Sequence, residues 1–298
     1  MKLVTKASFA VGLATWFLFT VLTALAQAPP VERPFVVFDT MDYFHKPDST
    51  VYGIRPLTLI YPEHFGPDWY KQVDGRLPEL EAVQAVARDV QHRGQRLAVL
   101  DIEHWPLTGS PDSVRYNLTK YMTVLEWFRA AAPGMLIGYY GPPPIIDYGR
   151  ALRLIPDPLY QSWMAENDQI RPLADAVDVF FPSIYTFSPD RAKWKKYAIA
   201  QIAEARRLGN GKPVYVFLWP QYHESATPAS LVHTYLPAEY WLLQLQTARD
   251  YADGIVLWGN ASEWVNNAPW WNATIEFMKN GAKPSPPPKA PPFGLETR

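Results

Sequence analysis

The sequence predicts an α/β fold of the (β/α) TIM-type barrel class, distorted, with seven or eight strands. Three observations predict it. Short apolar runs recur along the chain, and they are continuous rather than alternating, as parallel strands covered on both faces are. Patterns of helical period lie between them. The length of 298 residues suits one barrel of roughly 250 residues with a segment to spare at each end. An open doubly wound sheet is the competing architecture, but no glycine-rich phosphate loop comes after the first run.

The candidate strands, in order, are FVVF (35–38), LTLIY (57–61), LAVLDIE (97–103), MLIGYYG (135–141), VDVFFPSIY (177–185), PVYVFLW (213–219) and GIVLWG (254–259). Seven rather than eight is the reason to expect an irregular barrel. Between them, residues 79–93 place Leu80, Val83, Ala87 and Val90 on one stripe, and Gly94 ends the helix. A longer helix is expected over 112–132, with Ser110 as cap and Pro111 in its first turn. Further helices are expected over 190–208, closed by Gly209, over 237–251, and over 270–279.

Both ends fall outside the predicted domain of residues 30–281. Lys2 and Lys6 precede an apolar run over 7–22 and the small-x-small site Ala24-Leu25-Ala26, the pattern of a secretory signal peptide over 1–26. Cleavage after Ala26 predicts a secreted or periplasmic bacterial protein with no stable membrane association; uncleaved, the same run serves as an anchor. The tail over 282–298 begins AKPSPPPKAPPF, is proline-rich, and is expected to be extended and disordered.

A net charge of −1 gives no support to nucleic-acid binding, which needs a basic face. The chain has no cysteine, which excludes thiol catalysis and cysteine-ligated metals. No histidine pair has H-x-H or H-x-x-x-H spacing, so neither a metal nor a cofactor is expected. Nothing in the sequence sets an oligomeric state. The 12 Trp and 17 Tyr fit either a sugar-binding cleft or a bulky core.

The chemistry concentrates where LAVLDIEHWPL leaves its strand. Residues two apart in a strand face the same way, so Leu97, Val99, Asp101, Glu103 and Trp105 share one face, while Leu100 and Ile102 face the helices. At the C-terminal end of a barrel strand the first set points into the active mouth. Two close carboxylates do not both ionise easily, so one becomes a proton donor near neutral pH. The plainer reading is a polar strand end paired with an arginine. Other strand ends add weight to the first: Tyr139 and Tyr140, Tyr185, Trp219 and Tyr222, and Trp258 are aromatic. Flat apolar faces with a few oriented polar groups make a carbohydrate cleft.

Five segments carry a resemblance. DIEHW resembles the D-x-E-x-W segment of the hyaluronidase family of glycoside hydrolases. IGYYGPP resembles its G-[FY]-Y-G-x-P, AENDQI its Q-N-D-x-L, FPSIY its Y-P-S-I-Y, and GIVLWGNASEW its G-V-V-[IL]-W-x-S-W-E. They occur in the family's order over about residues 97–264. The resemblance implies hydrolysis of β-linked N-acetylhexosaminides with retention, on a polysaccharide or glycosaminoglycan substrate. By resemblance, Glu103 is the general acid and later base, and Asp101 orients the substrate acetamide, whose oxygen is the nucleophile. Tyr185 hydrogen-bonds that acetamide, Trp258 floors the reactive sugar's subsite, and Tyr140 lines the cleft. Like-charge repulsion from an ionised Asp101 would keep Glu103 protonated in the resting enzyme.

The departures are specific. The family's first strand ends W-N-x-P-T, where this chain has Phe38-Asp39-Thr40-Met41-Asp42. Asp39 either binds sugar hydroxyls or caps a turn. PVYVFLWPQYHES aligns loosely, so either Trp219 or Tyr222 takes the place of a family tyrosine. The basic cluster RAKWKK (191–196) reads either as a polyanion contact or as a solvated helix face. Two other functional readings stay open: a carbohydrate-binding protein on a degenerate barrel, and a glycosidase in which Asp39 or Glu224 is the nucleophile.

Overall fold

A computed structural model describes residues 34–280 apart from 67, 68, 70, 72–74, 154 and 261. The expected signal peptide and proline-rich tail lie outside the described residues. The strands are β1 (Val36–Met41), β2 (Arg55–Pro56), β3 (Thr58–Ile60), β4 (Leu97–Leu100), β5 (Leu136–Tyr139), β6 (Tyr215–Leu218) and β7 (Gly254–Gly259). The helices are α1 (Leu80–His92), α2 (Pro111–Ala131), α3 (Tyr148–Ala151), α4 (Pro158–Gln169), α5 (Arg171–Ala176), α6 (Arg191–Gly209), α7 (Ala238–Tyr251) and α8 (Pro269–Asn280).

All strand pairs are parallel. They form a four-stranded sheet, ordered β2-β1-β7-β6, and a three-stranded sheet, ordered β3-β4-β5. The two sheets meet at two irregular places. At the first, only Leu57 separates β2 from β3, so one extended segment pairs with β1 and then with β4; the Leu57 N–H donates to the Asp39 carbonyl at 3.1 Å. At the second, the run over 177–186 lies between β5 and β6 and is held by isolated bridges, Tyr140 to Phe181, Phe180 to Val214 and Ser183 to Phe217. Pro182 sits in this run and has no N–H to give a ladder, which accounts for its irregularity. The seven predicted runs therefore succeed one another round a distorted ring.

Alternation splits the apolar side chains into two cores. Phe38, Leu57, Val99, Val179, Phe181, Phe217 and Val256 fill the interior. Val37, Ala98, Leu100, Ile137, Val216, Ile255 and Leu257 face outward under the helices. Each of the larger buried side chains contributes about 1.5–3 kcal/mol. Close packing of β5 against the 177–185 run needs Gly138, where a Cβ would overlap the Val179 carbonyl and the Phe181 ring.

The cap expected at Ser110 is present, while Asp190, expected as the first residue of its helix, caps that helix instead. The Ser110 hydroxyl accepts from the Ser113 N–H, and Asp190 accepts from the Ala192 and Lys193 N–H groups. α6 runs through Gly209 and stops at Asn210, which takes the left-handed conformation. The helices α3 to α5 were not expected from the sequence. They position a loop of the site: Asn167 of α4 accepts from the Ile145 N–H at 2.8 Å, and the Trp163 indole donates to the Ile145 carbonyl at 2.9 Å.

Candidate active site

The site grows from the C-terminal end of β4. The ladder of β4 ends at Leu100, but the Asp101 N–H still donates to the Ile60 carbonyl at 2.9 Å. That bond carries the strand's direction one residue further. Val99 thus faces the interior, Leu100 and Ile102 face the helices, and Asp101 lies above Val99 at the mouth. Asp101 is only 8% exposed, and its Oδ1 is buried without a hydrogen-bond partner. Its carboxyl also donates a hydrogen bond to Glu103, whose side chain reaches the open mouth.

Burial, then the charges of Glu103 and Glu63, push Asp101 up to about 8. Burial and the nearby Glu224 raise Glu103 too, while the hydrogen bond from Asp101 holds it down. The pair therefore keeps one proton near neutral pH. The deeper burial of Asp101 favours that acid as the holder of the proton in the free protein; the sequence reading expected Glu103 to hold it. Depth decides the difference: strand alternation shows that two acids share a face, but not which one loses more water.

Aromatic residues from the neighbouring strand ends close round the pair. The Tyr140 hydroxyl, just past β5, donates to the Ser183 Oγ at 3.2 Å and accepts from Tyr185. The Tyr185 ring lies 5.8 Å from Trp258 and 5.9 Å from Trp219, and those two indoles meet edge to face at 4.8 Å. Burial raises the Tyr140 and Tyr185 hydroxyls well above the usual tyrosine range, and the nearby acids add to this. Both hydroxyls stay protonated, and in the free protein each gives its proton to the next group, Tyr185 to Tyr140 and Tyr140 to Ser183.

Tyr61, just past β3, was missed by the sequence reading. Its hydroxyl accepts from the Trp258 indole at 2.9 Å and feels the charges of Asp101, Asp42 and Glu63. Burial pushes it up to about 12. The signal was present: LTLIY ends in an aromatic residue as the other strands do.

Three expected site residues stand elsewhere. Trp105 is 1% exposed and packs among Trp69, His104 and Tyr121 in the outer core. The chain leaves strand geometry after Asp101, so a period of two no longer places residue 105. Tyr222 is also buried on the helix side, against Tyr240. Asp39 faces outward between Val37 and Met41 and clamps a turn. One carboxylate oxygen accepts from the Met41 N–H and the Lys46 Nζ, each at 2.9 Å, and the other accepts from the Ser49 hydroxyl at 2.6 Å. It is therefore neither a sugar ligand nor a nucleophile. Trp219 is in the cluster but buried, its indole donating to Gln221 at 3.0 Å, so it supports Tyr185 and Trp258 from below.

The basic cluster belongs to the first turns of α6. Lys193 pairs with the capping Asp190, and Arg191 lies over the Tyr240 ring and within 4.0 Å of Glu239. Among the described residues, no group of three or more histidines and acids is placed to hold a metal ion.

The structure is similar to the crystal structure of bee venom hyaluronidase, with a TM-score of 0.57 and 18% identity over 83% of this chain and 97% of that one. The chain has an α/β fold of the TIM-barrel type. The bee venom enzyme in complex with a hyaluronic acid tetramer gives a TM-score of 0.55 and 18% identity, covering 83% of this chain and 96% of that one. No protein-family model and no curated protein matches the sequence.

Proposed function

We propose that the protein is a secreted retaining glycoside hydrolase that cleaves β-linked N-acetylhexosaminides with the help of the substrate's own acetamide. One observation carries the reading: a buried, unpartnered carboxylate oxygen on Asp101, beside an accessible Glu103, at the mouth of a glycosidase-type barrel. A buried acceptor without a donor costs about 1–3 kcal/mol, and an incoming amide N–H relieves that cost. That N–H favours the ionised form of Asp101, whose proton passes along the hydrogen bond to Glu103. Glu103 then protonates the glycosidic oxygen while the acetamide oxygen attacks the anomeric carbon.

The ring that forms carries positive charge beside the ionised Asp101, which stabilises it. Glu103, now a base, takes a proton from water as water opens the ring, and the sugar is released with its configuration retained. Tyr185 turns its O–H from Tyr140 to the acetamide when substrate enters, Trp258 lies under the reactive sugar, and Tyr140 holds the Tyr185 ring in place. No cofactor enters this scheme.

Digestion of a glycan panel, with products identified by mass spectrometry, tests reaction and substrate together. The proposal predicts N-acetylhexosamine products from wild type and none from Glu103→Gln. Wild-type turnover in Glu103→Gln would overturn the assignment. Export rests on the N-terminal segment, and a mature protein beginning at Gln27 is the expected result of N-terminal sequencing.

A further inference from the structure

The charges around the mouth bear on which polymer enters it. On β1 and beyond, Met41 and Tyr43 face the helix side, so Asp42 and Phe44 share the register of the inward-facing Phe38. Asp42 acts on Tyr61, Glu63 acts on both Tyr61 and Asp101, and Glu224 acts on Glu103. The carboxylates Asp42, Glu63, Glu224, Asp101 and Glu103 act on the catalytic pair and on Tyr61 and Tyr140, while Tyr185 feels Asp101 together with the hydroxyls of Tyr140 and Tyr61.

The cations described near the mouth have partners of their own; Lys120, whose charge acts on His104, donates to the Gly75 carbonyl and lies over the Trp105 ring. Lys46 binds Asp39 and the Met41 carbonyl, His45 pairs with Glu263 at 3.2 Å, and Arg191 and Lys193 pair with Glu239 and Asp190. His223 stands beside Tyr185, and burial lowers its basicity. Phe44 is 52% exposed at the rim, where an apolar ring offers a platform for an uncharged sugar face. The cleft also holds the unpartnered Oδ1 of Asp101, a built acceptor for an amide N–H.

We infer that the substrate is an uncharged polymer of N-acetylhexosamine rather than a polyanionic glycosaminoglycan. The inference rests on the proposed hexosaminidase reading and names its substrate class. A chain with a carboxylate on every second sugar brings like charges to Asp42, Glu63 and Glu224, while Lys46, His45, Arg191 and Lys193 are held by carboxylates of their own. Such repulsion acts over about 8 Å at physiological salt and discriminates strongly between ligands. An uncharged chain meets no such barrier and presents an acetamide on each sugar.

The test measures kcat/KM for β-1,4-linked N-acetylglucosamine oligomers and for hyaluronan oligomers of equal length, at low and high salt. The expected result is a preference of about tenfold or more for the uncharged oligomers at low salt. Salt should raise the hyaluronan rate and leave the other flat. In the double variant Glu63→Gln, Glu224→Gln the ratio should shift toward hyaluronan. Equal or faster hyaluronan cleavage at low salt overturns the substrate class and leaves the hexosaminidase reading standing. Cleavage of neither, with no binding of an N-acetylglucosamine thiazoline, overturns both.

Discussion

Asp101→Asn separates what a buried acid costs the fold from what it does in the reaction. Below pH 3.8, the ordinary value for this group, folded and unfolded chains both hold the Asp101 proton. Between there and about 8, the unfolded chain releases a proton that the folded chain keeps. Stability therefore falls as pH rises across that window, by about 1.4 kcal/mol per pH unit for a fully shifted group. At pH 7 this amounts to about 4 kcal/mol. Glu103 takes over part of the burden once Asp101 is gone, which leaves about 2 kcal/mol. Asn keeps the shape and still donates to Glu103, so the variant escapes that cost. For a domain of this size the gain is about 4–8 °C in Tm at pH 7. Thermal unfolding of both proteins at pH 4, 5.5, 7 and 8 is the assay. The Tm difference should be near zero at pH 4 and widen in favour of the variant up to pH 8, while activity falls by about 10²-fold or more. A difference that stays constant with pH, or an Asn variant that weakens as pH rises, would refute the buried-proton argument.

The same geometry sets three other outcomes. Glu103→Gln should lose about 10³-fold or more in kcat with little change in Tm, read by product release and by thermal melts. Tyr185→Phe removes one donor to the acetamide and should lower kcat by about 10²-fold with KM nearly constant in steady-state kinetics. Asp39→Asn should weaken the fold by about 1–3 kcal/mol in urea titration, through the Lys46 and Ser49 bonds, with kcat per folded molecule retained. Retained stability with lost activity would return Asp39 to the site.

The fold was largely legible because a parallel barrel writes each strand as a short continuous apolar run, and all seven runs lie in the ring. A helix start was legible where a cap marked it, as at Ser110. The helices over 148–176 were not, since their short amphipathic faces are broken by the polar, buried Asn167. Within the site, one rule succeeded and failed in sequence. Alternation put Asp101 on the interior side with Val99, yet it lost Trp105 because the chain had left the strand. Applied from Phe38, the same rule turns Asp39 outward. The pairing of the Tyr61 hydroxyl with the Trp258 indole joins residues nearly 200 positions apart, and no local pattern announces such a contact.

The central claim is that the acetamide oxygen of the substrate is the nucleophile, guided by Asp101 while Glu103 protonates the leaving oxygen. Its most direct test is a series of substrates whose N-acetyl group carries zero to three fluorines, compared by initial rate. Fluorine withdraws electron density from that oxygen. The account predicts a steep, stepwise fall in kcat along the series, and rates independent of fluorination would contradict it.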